Sequence, residues 1–217
     1  MTVQAIIFDM DGVLFDTESF YYRQRELFLN SKGISMEHLP PEFFIGGNMK
    51  QSWRQILGSD YDKWDTEQLQ KEYTEYKNSH PRPYKNLIFS DVKDVLERLR
   101  QHEIKIALAS SSTKSDILMA LRETAILPYF EFVLSGEEFT KSKPDPEIYN
   151  EAARKLGIPK SDILIIEDSE KGITAGTSAG IEVWAVEDRT FGLNQRAAKR
   201  LITNLTQAVD LLLGSSD

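Results

Sequence analysis

Four short apolar runs, separated by segments with helical periodicity, constrain this chain more than any other feature. The runs are residues 5–8, 104–108, 163–166 and 183–186, and each is too short to form a helix. Three of them are almost continuously apolar, as expected of strands that are buried on both faces of a parallel sheet. Residues 92–99, between the first two runs, carry apolar side chains at positions i, i+3, i+4 and i+7. This alternation predicts an α/β fold with a doubly wound, Rossmann-like parallel sheet.

Residues 16–84 interrupt the alternation and predict a separate helical unit. They contain helical stretches but no convincing strand, and they hold 12 of the 22 aromatic residues of the chain. Large aromatic side chains suit a small core of their own. We therefore expect two domains, an α/β core formed by residues 1–15 and 85–217 and an inserted helical domain formed by residues 16–84.

The composition excludes several classes of protein. With 26 Lys and Arg against 34 Asp and Glu, the net charge is −8, which argues against a nucleic-acid binder because such proteins need a basic surface. The chain has no cysteine, so thiolate metal sites and cysteine nucleophiles are excluded. No stretch approaches the ~18 apolar residues of a membrane span. We expect a cytoplasmic protein that binds neither nucleic acid nor membranes, and nothing in the sequence requires more than a monomer.

Polar residues gather where the apolar runs end. Asp9 and Asp11 follow the first run, Ser110 to Ser112 follow the second, and Glu167 and Asp168 follow the third. In an open parallel sheet, ligands bind beyond the carboxyl ends of the strands. These side chains, which are far apart along the chain, should therefore converge on one edge of the sheet.

Crowded carboxylates need a cation, and hard oxygen ligands without thiolates or nearby histidines favour magnesium. The hydroxyl of Ser110 and the ammonium of Lys143, which lies in a proline-flanked loop, complement a phosphate group. One carboxylate of the pair Asp9 and Asp11 suits attack on phosphorus, and the other suits proton transfer to the leaving oxygen. The residues alone thus predict phosphoryl transfer at a magnesium site.

Four segments together resemble a known family. They are residues 9–18 (DMDGVLFDTE), 108–112 (LASSS), 142–146 (SKPDP) and 166–173 (IEDSEKGI). In this order they are similar to the motifs of the haloacid dehalogenase superfamily of phosphotransferases, in the branch of β-phosphoglucomutase and related sugar-phosphate phosphatases. The resemblance covers nearly the whole chain, and it implies a Rossmann-like core with a mobile helical cap inserted after the first motif.

The resemblance also implies a role for each site residue. Asp9 corresponds to the nucleophile that forms an aspartyl-phosphate, and Asp11 to the general acid that later acts as a base. The implied magnesium ligands are Asp9, the main-chain carbonyl of Asp11, Asp168 and, directly or through water, Glu167. The implied phosphoryl-binding residues are Ser110, Ser111 and Lys143.

The insertion departs from the mutase pattern at two places. Tyr21 stands where the mutase has a histidine, and Asn48, Met49 and Lys50 follow the double glycine where the mutase has an arginine that binds a second phosphate. We expect Gly46, Gly47 and Lys50 to contact the substrate. A mutase must exclude water from its phospho-enzyme, whereas a phosphatase must admit it, so the loss of mutase-specific groups favours hydrolysis.

Three functions are therefore compared. The first is a magnesium-dependent phosphatase that acts on a small phosphorylated metabolite, and a sugar phosphate fits best. The second is a β-phosphoglucomutase-like phosphomutase, which shares every core residue. The third is a phospho-acceptor signalling module of the response-regulator type, which also combines carboxylates, a hydroxyl and a lysine with magnesium. Such receivers are much shorter and lack the helical insertion, which argues against the third function. Because the mutase-specific groups are also missing, the phosphatase is the preferred prediction.

Overall fold

The computed structural model describes residues 3–45, 49–80 and 82–214, and a six-stranded parallel sheet forms its centre. Each strand is three to six residues long. The strands are β1 (Ala5–Phe8), β2 (Lys105–Ser110), β3 (Phe132–Ser135), β4 (Ile163–Glu167), β5 (Glu182–Val186) and β6 (Arg200–Ile202). Their spatial order is β3-β2-β1-β4-β5-β6, so the chain begins in the middle of the sheet and fills first one side and then the other.

The strand order creates a switch point beside β1, which pairs with β2 on one side and β4 on the other. Phe8, the last residue of β1, is in register with Leu108 and Ile166. Ligand crevices of open α/β sheets lie at the carboxyl ends of the strands at such a point. The three motif-bearing strands are therefore immediate neighbours, and they end at the same edge.

Helices cover both faces of the sheet. The helices of this part are α4 (Tyr84–Leu87), α5 (Val92–Gln101), α6 (Lys114–Glu123), α7 (Glu147–Leu156), α8 (Glu170–Ser178) and α9 (Leu205–Leu213). Ile6 and Phe8 of β1 belong to one hydrophobic cluster, and Ala5 and Ile7 belong to another on the opposite face. Because successive side chains of a strand point to opposite faces, a strand covered on both sides must be apolar throughout.

The segment between β1 and α4 is helical and has a hydrophobic cluster of its own. It contains α1 (Glu18–Ser31), α2 (Met49–Leu57) and α3 (Thr66–Ser79). Phe28, Trp53 and Tyr73 pack in this cluster, and the ring centroids of Phe28 and Tyr73 lie 5.2 Å apart. Aromatic side chains thus supply much of the apolar contact among these three helices.

The predicted fold class is confirmed, with two differences in detail. The edge strands β3 and β6 were not predicted, because each is short and partly exposed and so lacks a continuous apolar run. Ser110 and Glu167 were expected after their strands, and each is instead the last residue of its strand. Among residues 3–45, 49–80 and 82–214, no helix is long and apolar enough to cross a membrane.

Candidate active site

The ends of β1, β2 and β4 bring three groups of polar side chains to one edge of the sheet. Asp9 follows β1 directly, and its backbone N–H donates to the carbonyl of Ile166 at 2.9 Å. Ser110 closes β2, and Glu167 closes β4. All three residues are buried. Their common position follows from the parallel register of the three strands.

Lys143 joins this edge from the loop before α7. Its ammonium donates to Asp9 Oδ1 at 2.6 Å, to Glu167 Oε1 at 2.7 Å and to the carbonyl oxygen of Ala109 at 3.0 Å. Burial alone lowers the pKa of Lys143, but the charges of Asp9 and Glu167 outweigh it and raise that pKa well above its ordinary value. Lys143 therefore stays protonated and links β1 to β4.

Both carboxylate oxygens of Glu167 accept several hydrogen bonds. Oε1 also accepts from the hydroxyl of Tyr149 at 2.7 Å, and Oε2 accepts from the N–H groups of Asp168 and Ser169 and from the Ser169 hydroxyl. Burial raises the pKa of Glu167, but Lys143 and these donors outweigh burial and lower it overall. Glu167 is thus held as an anion within a complete shell of donors.

Asp11 lies two residues after Asp9 and is held by two hydroxyls. Thr17 donates to its Oδ1 at 2.5 Å, and Ser112 donates to its Oδ2 at 2.7 Å. Burial nevertheless raises the pKa of Asp11 above its ordinary value. A fixed carboxyl group with a raised pKa is suited to donating a proton near neutral pH.

Asp9, Glu167 and Asp168 form a cluster that could hold a metal ion. One oxygen of each lies within 4.8 Å of the others, and all three residues are buried. Oδ1 of Asp168 has no hydrogen-bond partner although it is buried. Gly12 has a φ of +79°, and a Cβ atom there would lie 2.0 Å from Asp168 Oδ2, so the backbone approaches this carboxylate as closely as only glycine allows. The all-oxygen donor set and the partnerless buried oxygen fit a hard divalent cation.

The charges of the site point to the same conclusion. Burial raises the pKa of Asp168 well above its ordinary value, and the charges of Glu18, Glu167 and Asp9 raise it further. Burial also raises the pKa of Asp9, and Lys143 only partly opposes this. At this edge, one ammonium group therefore balances only one of three carboxylate charges, and a divalent cation would neutralise the remaining negative charge.

A cavity of about 230 Å³ opens above these residues. Asp9, Asp11, Ser110 and Lys143 line it from the sheet side, and side chains of α1 and α3 line it from the helical side. The volume is below the usual range of about 300–1,000 Å³ for ligand pockets, which suits a small metabolite. Helices α1 and α3 therefore form the opposite wall of the candidate active site.

The remaining predicted residues are Ser111, Lys50, Gly46 and Gly47, and each has a different outcome. Ser111 lines the cavity with Ser110. Lys50 is exposed on α2 and is not one of the residues that line the cavity, whereas its neighbour Met49 is. Gly46 and Gly47 lie outside the described residues.

Sequence reasoning missed several residues of the site, among them Tyr149 and Arg25. Tyr149 belongs to the segment after the Lys143 loop, but only the approach of α7 brings its hydroxyl to Glu167. Arg25 lines the cavity from α1. The spacing i, i+3 and i+7 of Glu18, Tyr21 and Arg25 was a signal that these residues share one helix face.

Comparisons with known proteins agree with this geometry. The profile of the haloacid dehalogenase-like hydrolases matches residues 6–186. A phosphorylated carbohydrates phosphatase of Thermotoga maritima is 31% identical over 182 residues, which cover 83% of each chain. The β-phosphoglucomutase of Bacillus subtilis is 30% identical over 82% of this chain and 81% of its own length. The crystal structure of a β-phosphoglucomutase from Clostridium difficile superposes with a TM-score of 0.81 at 24% identity, over 95% of this chain and 93% of the other. The chain therefore belongs to the haloacid dehalogenase-like hydrolase family.

Proposed function

We propose that this protein is a magnesium-dependent phosphatase that hydrolyses a small phosphorylated metabolite, with a sugar phosphate as the expected substrate. One observation carries the proposal: Asp9, Asp11, Ser110 and Lys143 line a single small cavity beside the carboxylate cluster. The phosphatase named among the relatives of this chain acts on phosphorylated carbohydrates, which supports this substrate class.

In the proposed reaction, a carboxylate oxygen of Asp9 attacks phosphorus and forms an aspartyl-phosphate. Asp11 donates its proton to the oxygen of the leaving alcohol, which breaks the original ester bond. Asp11 then accepts a proton from a water molecule that attacks the aspartyl-phosphate, so that inorganic phosphate leaves and Asp9 is regenerated. The hydroxyls of Thr17 and Ser112 orient Asp11 for both proton transfers.

Lys143 and Ser110 bind the phosphoryl group during the transfer. Hydrogen bonds to Glu167 and to the carbonyl of Ala109 fix the ammonium of Lys143. Its third N–H donates to Asp9 and can turn to the phosphoryl group that Asp9 receives. Ser110 Oγ accepts from the N–H of Ser112 at 3.0 Å, which leaves the serine hydroxyl hydrogen for a phosphoryl oxygen. When bound, Mg²⁺ supplies positive charge that neutralises the phosphoryl oxygens.

We assign the magnesium ligands to Asp9, Asp168 and the main-chain carbonyl of Asp11. Asp168 has the partnerless buried oxygen. Glu167 belongs to the same cluster, but its oxygens already accept hydrogen bonds, so its main contribution is to hold Lys143. Residues 16–84 act in this proposal as a cap over the cavity.

The test is phosphate release from a panel of phosphorylated metabolites by the purified full chain with Mg²⁺. Asp9→Asn should lower kcat by about 10⁴-fold or more, because the amide oxygen is a poor nucleophile. Asp94→Asn, at an exposed position of α5, is the matched control and should retain full activity. Turnover by the Asp9 variant at more than a few per cent of the wild-type rate would refute the assignment.

The mutase remains the second candidate, because a β-phosphoglucomutase is also among the relatives. Incubation with a hexose 1-phosphate and a trace of the bisphosphate separates the two functions. Free sugar and inorganic phosphate support the phosphatase. Accumulation of the isomeric sugar phosphate would refute it.

A further inference from the structure

One arginine on the helical side of the cavity is buried without an anionic partner. Arg25 lies on α1, only 8% of its surface is exposed, and it lines the same cavity as Asp9 and Lys143. Glu18, Tyr21 and Arg25 share one face of the helix, and all three line the cavity. The charged end of Arg25 thus belongs to the site and not to the outer surface of the insertion.

The hydrogen bonds of Arg25 are incomplete. A guanidinium group has five N–H donors. Nη1 donates to the carbonyl of Phe44 at 2.5 Å, whereas Nε is buried and has no partner. None of the ion pairs found among residues 3–45, 49–80 and 82–214 includes Arg25. A buried cation without an anion costs free energy, so its retention beside a cavity indicates that an anion arrives with the ligand.

The nearby carboxylates of the protein are engaged elsewhere. Asp116 pairs with Arg82 at 2.6 Å and with Lys77 at 3.0 Å, so one negative charge already serves two cations. Glu18 lies seven residues before Arg25, which corresponds to about 10 Å along a helix axis. Its charge acts on Asp168, at the metal cluster. Burial raises the pKa of Asp11 and the charge of Arg25 opposes this rise, but Asp11 is held by the hydroxyls of Thr17 and Ser112, and no ion pair joins it to Arg25 in the described part of the chain.

We propose that Arg25 binds a second anionic group of the substrate, at the end remote from the phosphoryl group that is transferred. A guanidinium group can bind a carboxylate or a phosphate through two parallel hydrogen bonds, and both anions fit this chemistry. Within the proposed sugar phosphates, the substrate class is accordingly a sugar bisphosphate or the phosphate monoester of a small sugar acid. This inference rests on the proposed phosphatase activity.

The experiment compares matched pairs of substrates that differ in the second anion. 3-Phosphoglycerate and glycerol 3-phosphate differ in a carboxylate, and glucose 1,6-bisphosphate and glucose 6-phosphate differ in a phosphate. The ratio of kcat/KM within each pair is measured by phosphate release for the wild type and for Arg25→Gln. Arg23→Gln is the matched control, because Arg23 lies on the same helix with 67% of its side chain exposed.

We expect the wild type to prefer the anionic member of at least one pair, and the pair that shows this preference identifies the anion. Arg25→Gln should lower the preference by roughly 30-fold or more, since a buried charge partner is lost. Arg23→Gln should leave it unchanged. The proposal is overturned if the wild type shows no preference in either pair, or if Arg25→Gln retains it.

Two further measurements keep the result decisive. If Arg25→Gln does not fold, Arg25→Lys keeps the charge but loses the paired hydrogen bonds, and it should lower the same preference by about 10-fold. Hydrolysis of p-nitrophenyl phosphate, which has no second anion, tests the reaction itself. Turnover of this ester without any preference within the pairs overturns only the role of Arg25. Absence of turnover with every phosphate ester overturns the proposed function as well.

Discussion

The strongest test of the candidate site is the replacement of Lys143 by methionine. Methionine has a similar length but carries no charge. The ammonium group of Lys143 contacts Asp9, Glu167 and the carbonyl of Ala109 within 3.0 Å, and only 2% of its side chain is exposed. The substitution removes all three contacts and leaves two buried carboxylates without their cation.

The structure sets the size of the expected effect. Removing one partner of a buried ion pair costs about 3–5 kcal/mol, because the remaining charge is left uncompensated. Here two ion pairs depend on one ammonium, at 2.6 and 2.7 Å, and their contributions do not add independently. We therefore expect Lys143→Met to lower the free energy of unfolding by about 4 kcal/mol, a large part of the 5–15 kcal/mol that is typical of domains.

Urea unfolding in the presence of a chelator measures this loss without a contribution from bound metal. Lys141→Met is the matched control, because Lys141 lies two residues earlier, has 74% of its side chain exposed and is 3.6 Å from Asp145. The control should change the free energy of unfolding by less than about 0.5 kcal/mol. A loss below about 1 kcal/mol for Lys143→Met would show that its contacts with the two carboxylates do not hold this edge of the sheet together.

Three other substitutions test the surroundings of the site. In Gly172→Ala, the new Cβ atom would lie 1.7 Å from Glu167 Oε1, so the carboxylate must move. We expect the free energy of unfolding, measured in urea, to fall by about 2–4 kcal/mol, and kcat/KM to fall by at least about 10-fold. In the control Gly176→Ala, the new Cβ atom would contact only apolar side chains, so the variant should be less stable but should keep its kcat/KM. Equal activities of the two variants would contradict the reasoning. Burial raises the pKa of the Asp116 carboxyl group, but the charges of Lys77 and Arg82 outweigh burial and lower that pKa overall. The stabilisation that these ion pairs provide is therefore complete at neutral pH and is lost as the carboxylate becomes protonated. Asp116→Asn, which leaves Arg82 and Lys77 without their anion, should therefore cost about 3 kcal/mol at pH 7. The cost should begin to fall near the ordinary Asp pKa of about 3.9 and disappear only as the pH passes below the lowered pKa of Asp116, whereas a cost that is constant with pH would refute this linkage.

The central strands could be predicted from the sequence because each is buried in apolar surroundings on both of its faces. Residues 5–8 and 163–166 are covered by helices on both faces, so nearly every side chain is apolar and the run stands out. The strand Phe132–Ser135 lies at an edge of the sheet and is half exposed at its first two positions. Its pairing with β2 depends on tertiary contacts, and no local pattern reveals such pairing.

The candidate site was predictable where it follows the strand ends. Asp9 and Ser110 were singled out because parallel strands end at a common edge. Arg25 was not singled out, because a helix face with buried polar residues resembles an ordinary solvated face until the partner surface is known. The contact between Tyr149 and Glu167 likewise depends on how closely α7 approaches β4, which residue spacing does not specify.

The adjacent residues Glu167 and Asp168 show why the same residue type can have two roles at one edge. The sequence predicts both as metal ligands. In the structure, the side chain of Glu167 accepts hydrogen bonds at both oxygens, whereas Oδ1 of Asp168 is buried without a partner. A second lysine beside Asp168 would reduce the net charge of the three carboxylates and their lysines from −2 to −1 and would lower the affinity of the cluster for a cation. We infer that the chain compensates only part of its own charge, through Lys143, and that the remainder makes the site dependent on a divalent ion.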